Sequence, residues 1–229
     1  MTETERESAL RDDCCAADPR IARHFDQRMR ERATTGQVPE TVAVSRRLRE
    51  LLSDVGELRP TVLDLGSGGG ALTVELLERG AAAADGVDLS PESVATAHRS
   101  ASAAGVADRA TFIVGDAAAA PLTAHDWVVL DRVICCYPDV DRLLASAIGA
   151  ATRRFAFSLP CSKGWRGLVA RMVVALDNAT IRIRGRACPG YVHDIPLIEA
   201  RLGAAGFARL RDARAGFWYA AVWERPGDK

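Results

Sequence analysis

Between Leu65 and Ala71 the chain reads Gly66-Ser67-Gly68-Gly69-Gly70, four glycines in five positions. Directly before it stands Thr61–Leu65, a short β-rich run; directly after it Ala71–Arg79 reads as a helix stopped by Gly80. A strand that turns into a helix through glycine lets backbone approach a ligand closely and offers free N–H groups at the helix start. The same order then recurs. Ala84–Leu89 reads as a second strand, and Ser90 is placed to cap a helix with Pro91 at its first position and Glu92 in its first turn. That helix is expected to end near Ala104, before Gly105. Thr111–Val114, Trp127–Asp131 and Phe155–Leu159 read as three more strands, with a helix opened by Asp139 or Asp141 before the last. Strands alternating with helices of about 10 to 15 residues imply right-handed crossovers and a parallel sheet.

The flanks are different. Residues 1–18 are polar and charged, while Arg20–Arg32 and Pro39–Val55 read as helices. After Leu159 the alternation stops. Trp165–Leu176 reads as an apolar helical insert and Pro196–Ala205 as a helix stopped by Gly206. Phe207–Arg211 and Phe217–Glu224 read as two strands with no room for a crossover helix between them, so they pair antiparallel or lie apart. The expected organisation is an N-terminal tail and helical cap over 1–57, then one α/β domain over 58–229 carrying a lid insert at about 162–188.

Composition narrows the function. A chain of 229 residues with 48% hydrophobic residues suits one domain with a sizeable core. Thirty basic and thirty acidic side chains cancel, which argues against broad nucleic-acid binding. No run of about 18 apolar residues stands in the chain to span a membrane. The acidic start, Met1-Thr2-Glu3-Thr4-Glu5, does not read as a secretory signal. Cys14, Cys15, Cys135, Cys136, Cys161 and Cys188 follow neither a disulfide framework nor zinc-ligand spacing, so no metal site is expected. A cytoplasmic chain with reduced thiols is the expectation.

The glycine loop gains meaning from three aspartates. Asp88 ends the second strand 22 residues after Gly66, the place for a carboxylate that accepts both ribose hydroxyls. Asp116 follows the third strand, placed to face an adenine amino group. Gly66-x-Gly68-x-x-Ala71 formally satisfies the dinucleotide fingerprint, so a nicotinamide cofactor competes here with S-adenosylmethionine. Asp64, two residues before the first glycine, favours the second: it can reach an ammonium group directly or through water. The Gly-x-Gly-x-Gly spacing and the closing hairpin, which leaves no second domain for a hydride acceptor, favour it too.

With these motifs in this order and spacing, residues 58–225 resemble a class I S-adenosylmethionine-dependent methyltransferase. The resemblance implies a Rossmann-like fold: a mostly parallel doubly wound sheet, a C-terminal antiparallel hairpin, N-terminal helices and a helical insert. It implies S-adenosyl-L-methionine as cofactor, held by Asp64, Gly66, Ser67, Gly68, Gly70, Asp88, Leu89, Asp116, Ala117 and Asp131. It implies methylation of a small-molecule acceptor, most simply at oxygen, in specialised metabolism. A narrower resemblance is to magnesium-protoporphyrin O-methyltransferases, carried by Asp131–Pro138 and by Ala187–Ala200 with Tyr191-Val192-His193. That family usually has His-Tyr-Pro where this chain has Cys136-Tyr137-Pro138. The competing reading of another class is a non-catalytic cofactor-binding scaffold or regulatory subunit.

His193 is the candidate general base, against the plainer role of a helix-start histidine bonded to backbone. His24, Cys136, Tyr137 and Trp165 are candidates to line the acceptor pocket, against ordinary surface or core roles. Residues 162–188 hold Lys163, Arg166, Arg171, Arg182, Arg184 and Arg186 against Asp177 alone. An amphipathic lid, a site for an anionic acceptor and a membrane-surface contact are all open readings of that segment. A monomer or homodimer is expected.

Overall fold

The computed structural model describes residues 21–27, 30, 43–183 and 189–226. Its centre is a seven-stranded sheet in the order β3-β2-β1-β4-β5-β7-β6. The strands are β1 Thr61–Leu65, β2 Ala83–Asp88, β3 Ala110–Val114, β4 His125–Asp131, β5 Ala151–Pro160, β6 Ala208–Ala215 and β7 Trp218–Glu224. The first five run parallel, and β7 is antiparallel to both β5 and β6. The two closing strands therefore form the hairpin, turning at Gly216 and Phe217. The reversal of strand order between β1 and β4 opens a crevice at the carboxyl ends of the parallel strands, where ligands bind in such sheets.

Helices flank the sheet, among the described residues α1 Ala43–Leu51, α2 Ala71–Glu78, α3 Pro91–Ala103, α4 Val140–Ala150, α5 Gly164–Ile183 and α6 Ile195–Ala204, with a further single turn at Val55–Leu58. Local chemistry explains their starts. Ser90 accepts a hydrogen bond from Ser93 N–H at 3.0 Å, and Asp139, rather than Asp141, caps α4 by accepting from Arg142 N–H at 3.0 Å. The two faces of the sheet bury separate cores. One gathers Leu65, Leu130, Leu143, Phe155, Phe157 and Phe207; the other gathers Val44, Leu48, Leu76, Phe112, Trp127 and Ala220.

Two helix boundaries depart from the sequence pattern. The helix expected over Pro39–Val55 stops at Leu51, and residues 39–42 lie outside the described residues. Just past its end Asp54 is held by a buried guanidinium: Arg154 donates to both its carboxylate oxygens at 2.8 and 3.0 Å. The insert helix α5 runs to Ile183, seven residues beyond Leu176. Asn178 anchors this extra length by donating to Gly190 O at 2.9 Å and accepting from Gly190 N–H at 2.7 Å. Of the first predicted helix, residues 21–27 and 30 are described and helical. Asp26 accepts hydrogen bonds from Ser90 Oγ and, at 3.1 Å, from Glu92 N–H, which sets this segment across the start of α3.

Candidate cofactor and acceptor site

The glycine loop is tied to the second strand. Gly66 N–H donates to Val87 O at 2.7 Å and Ser67 N–H to the same oxygen at 3.1 Å. Gly66 has φ +72°, and a Cβ on it would lie 2.4 Å from Val133 Cγ2, so no other residue fits there without movement. Gly68, at φ +54°, has open space where its Cβ would stand. That space is a cradle rather than a packed turn.

Asp88 binds the loop to the next helix. Its Oδ2 accepts from Gly68 N–H at 2.8 Å and its Oδ1 from Ser90 N–H at 2.9 Å. Burial raises its pKa, partly opposed by those amide hydrogen bonds. Asp64 lies one strand over, paired in register with Gly86 of β2 and Val129 of β4. It is almost fully buried and accepts from Thr73 Oγ1 at 2.7 Å. Asp131 ends β4 and accepts from the buried hydroxyl of Ser158. Burial, with the charges of Asp131 and Asp88 behind it, pushes the Asp64 carboxyl up to about 7 against the pull of Thr73. Among the described residues no ion pair reaches Asp64, Asp88 or Asp131. Ser67 Oγ is buried without a hydrogen-bond partner beside them. Clustered carboxylates and an orphaned hydroxyl around an open glycine cradle fit a ligand carrying positive charge and hydroxyls.

The third strand contributes Asp116, buried next to Ala117. Its Oδ1 accepts from Ala118 N–H at 2.9 Å and from the Tyr137 hydroxyl at 2.7 Å. Tyr137 is thus a buried prop that fixes Asp116, a link with no signal in the sequence. Leu89 is half-buried and packs against the same core as Ile21 of the N-terminal helical segment. His24 lies on that segment, half-buried and edge-on to Phe25.

A second group of residues forms beyond the end of β4. Arg132 has φ +61°, a strained conformation for a non-glycine, and its Nε is buried without a hydrogen-bond partner. The thiols of Cys135 and Cys136 both point to Arg132 O, at 3.4 and 3.7 Å. The hydrogen bond with Cys136 first, and burial second, raise the Cys135 pKa and keep its thiol protonated. Tyr191 N–H donates to Cys135 O at 2.8 Å, and the Tyr191 ring stacks on His193. His193 Nε2 lies 2.9 Å from Tyr137 O. A carbonyl only accepts, so Nε2 carries the hydrogen and Nδ1 is the basic nitrogen of the neutral ring. Burial lowers the His193 pKa, with the carbonyls of Tyr137 and Ile134 partly opposing.

Cys136, Tyr191 and His193 thus come together at the strand ends, while Trp165 does not join them. Trp165 is 66% exposed on α5, carries the Arg166 guanidinium over its ring, and lines a separate cleft of about 370 Å³ with Lys163, Arg214 and Tyr219. Cys14, Cys15 and Cys188 lie outside the described residues. Among the described residues no group of three His, Cys, Asp or Glu side chains is placed to hold a metal ion. Asp26, Thr73, Arg132 and Ser158 are members of the site that sequence reading passes over, and Tyr191, quoted there for a resemblance, is given no role. Each acts through a contact across more than one element, except Arg132, whose only signal is its place directly after Asp131.

Residues 62–153 match the family described as a methyltransferase domain. Comparison of the sequence with curated proteins finds no match. Among solved structures, the chain is similar to magnesium protoporphyrin IX methyltransferase from Synechocystis PCC 6803 with bound SAH, with TM-score 0.65, 20% identity and coverage of 89% of this chain and 96% of that one. It is similar to an O-methyltransferase family protein from Burkholderia thailandensis, with TM-score 0.67, 19% identity and coverage of 93% and 62%. A third is an S-adenosylmethionine-dependent methyltransferase from Mesorhizobium loti, with TM-score 0.61, 18% identity and coverage of 79% and 97%. At these identities the likeness carries the fold. Residues 62–153 match a methyltransferase domain, in a chain whose Rossmann-like fold is the one these S-adenosylmethionine-dependent methyltransferase structures share.

Proposed function

We propose that the protein is an enzyme that transfers a methyl group from S-adenosyl-L-methionine to an oxygen of a small-molecule acceptor. The observation that carries this reading is the trio Asp64, Asp88 and Asp131 around the Gly66–Gly70 cradle, without an ion pair among the described residues. In this reading Asp64 holds the ammonium group, Asp88 the ribose hydroxyls, and Asp116 with Ala117 the adenine. Ser67, Leu89 and Asp131 complete the wall. When bound, the cofactor supplies a methyl group on a sulfonium, which a nucleophile displaces in line.

The chain's own task is to hold the acceptor in line, exclude water and manage one proton. In this reading Cys136, Tyr191 and His193 line the acceptor side, with His24 closing from the N-terminal segment. His193 Nδ1 takes the proton of an acceptor hydroxyl. Burial keeps that ring neutral at pH 7, as a base must be, and the Tyr137 carbonyl fixes its tautomer.

Arg132 favours a second reading. Its buried, unpartnered Nε beside Cys135 and Cys136 suits an acceptor carboxylate, which is ionised at pH 7 and needs no base. The similarity to the magnesium protoporphyrin IX methyltransferase points the same way. The fold also hosts other chemistry, since a 4+2 cyclase, SpnF, matches with TM-score 0.60 and 14% identity. Calorimetry with S-adenosylhomocysteine tests the cofactor: binding is expected, and binding of a nicotinamide dinucleotide in its place would sink the reading. An untargeted search with purified protein for a metabolite that gains one methyl group tests turnover. With that acceptor, His193→Ala should lower kcat by about a hundredfold or more and leave cofactor affinity alone. A near-normal kcat would assign the carboxylate reading.

A further inference from the structure

The insert helix α5 turns an apolar face outward. Trp165, Leu168, Met172, Leu176 and Ile183 are 66%, 65%, 58%, 67% and 85% exposed. Ala179 is exposed among them. Their spacings are three, four, four, three and four residues, read directly from the sequence. At about 100° per residue these positions fall within one narrow sector of the helix, and Ile183 returns to the azimuth of Trp165 after five turns. The inner face is the opposite one. Gly167 and Ala170 are buried, and Asn178 bonds to Gly190. The stripe is therefore about 27 Å long, straight, and turned away from the core.

Its charge surround is one-sided. Arg171 and Arg182 flank the stripe on one side and Arg166 on the other, with Lys163 just before the helix and Asp177 as the single acid. Lys163, Arg166 and Arg214 also line the cleft at the Trp165 end. We propose that α5 is an interfacial helix that docks this protein on an anionic lipid surface, its apolar stripe entering the headgroup boundary and its arginines meeting lipid phosphates. Such docking is independent of the reaction catalysed.

The charge around the stripe selects an anionic lipid surface over a second copy of the chain. Trp165, Val169, Met172, Leu176, Ala179 and Ile183 form an apolar seam of heptad spacing, so periodicity alone allows a helix pair. A two-fold pairing, however, would bring each basic flank near its own copy, with only Asp177 to compensate. Trp165 at one end suits a headgroup boundary, where an amphipathic ring has one apolar and one wet side. The helix lies on the surface rather than crossing it: among the described residues no helix is long and apolar enough to span a membrane.

The test is sedimentation of the full chain with vesicles of equal parts phosphatidylglycerol and phosphatidylcholine, and with vesicles of phosphatidylcholine alone. Partition onto the anionic vesicles should exceed that onto neutral ones at least tenfold and fall at high salt. Leu168→Glu with Leu176→Glu should lower it at least tenfold while Tm stays unchanged, because both side chains are exposed. Arg171→Gln with Arg182→Gln should lower it about thirtyfold, each arginine near an anionic surface contributing about 1 kcal/mol. Should the leucine variant misfold, the arginine variant decides. Equal partition of the wild type and the folded variants overturns the proposal. So does the absence of partition, including the case of a wild-type dimer in sedimentation velocity that the leucine variant makes monomeric.

Discussion

The two ends of the sheet hold carboxylates in opposite company. At the amino end of β5, Arg154 is 5% exposed and donates to Asp54 with both terminal nitrogens and to Glu224 with Nε at 2.8 Å. Arg211 adds a contact to Asp54 at 3.2 Å, and the Arg154 guanidinium lies 4.8 Å from the centre of the Trp127 ring. Burial alone would raise the Asp54 pKa, but the hydrogen bonds and charge of Arg154 win, and it is lowered. At the carboxyl ends of β1, β2 and β4, Asp64 is buried and Asp88 half-buried, yet both pKa values are raised. The first end is complete in itself and contributes stability. The second is incomplete: its carboxylates repel one another until something positive arrives, the mark of a binding site rather than a clasp.

Breaking the clasp should have the largest effect. Arg154→Met leaves Asp54 and Glu224 without their shared cation, and removing one partner of a buried pair costs about 3–5 kcal/mol. Thermal unfolding should show Tm falling by about 10 °C, while S-adenosylhomocysteine affinity at a temperature where the variant is folded stays put. A comparable loss of affinity would mean the two ends are not independent.

Asp64 should show the opposite sign. Its folded pKa is raised above the unfolded value, so its contribution is fully present below about pH 3.8 and lost as pH rises through about 7. Asp64→Asn should therefore stabilise the ligand-free protein above pH 7 by up to a few kcal/mol, since each tenfold change in proton affinity is worth about 1.4 kcal/mol. Denaturant titrations of both proteins at several pH values check this. In the wild type, S-adenosylhomocysteine should bind more tightly as pH rises through 7, and in the variant that pH dependence should vanish.

Asp88→Ala removes hydrogen bonds to a charged group worth about 1.5–3 kcal/mol each, so cofactor affinity should fall at least tenfold by calorimetry. Smallest is Gly68→Ala. The space is open, so the cost is the left-handed backbone, about 1 kcal/mol, read as a Tm shift of a few degrees. A cofactor affinity that falls much further than this would place the new methyl group in the ligand's path.

The parallel run of β1 to β5, the closing hairpin, the cap at Ser90 and the loop aspartates are visible in the sequence, which leaves the cap of α4 open between Asp139 and Asp141. They are local: periodicity, glycine, proline and cap residues act within a turn or two of the chain. The Tyr137–Asp116 bond could not be read, because a tyrosine after a strand looks the same whether it lines a pocket or props a carboxylate. Likewise the partner of Asp54 just past α1 could not be read, because Arg154 stands a hundred residues away in the chain. The position of Trp165 just after β5 suggests a place beside the acceptor, and the packing of α5 on Gly190 turns it outward instead.

By itself, then, the sequence determined which residue types stand at the strand ends and in what order, since strand, glycine turn and helix start are fixed by neighbours in the chain. Which carboxylates form an ion pair with a cation and which do not was decided by tertiary structure. Charge interaction depends on distance and burial, and both come from the packing of segments far apart in sequence.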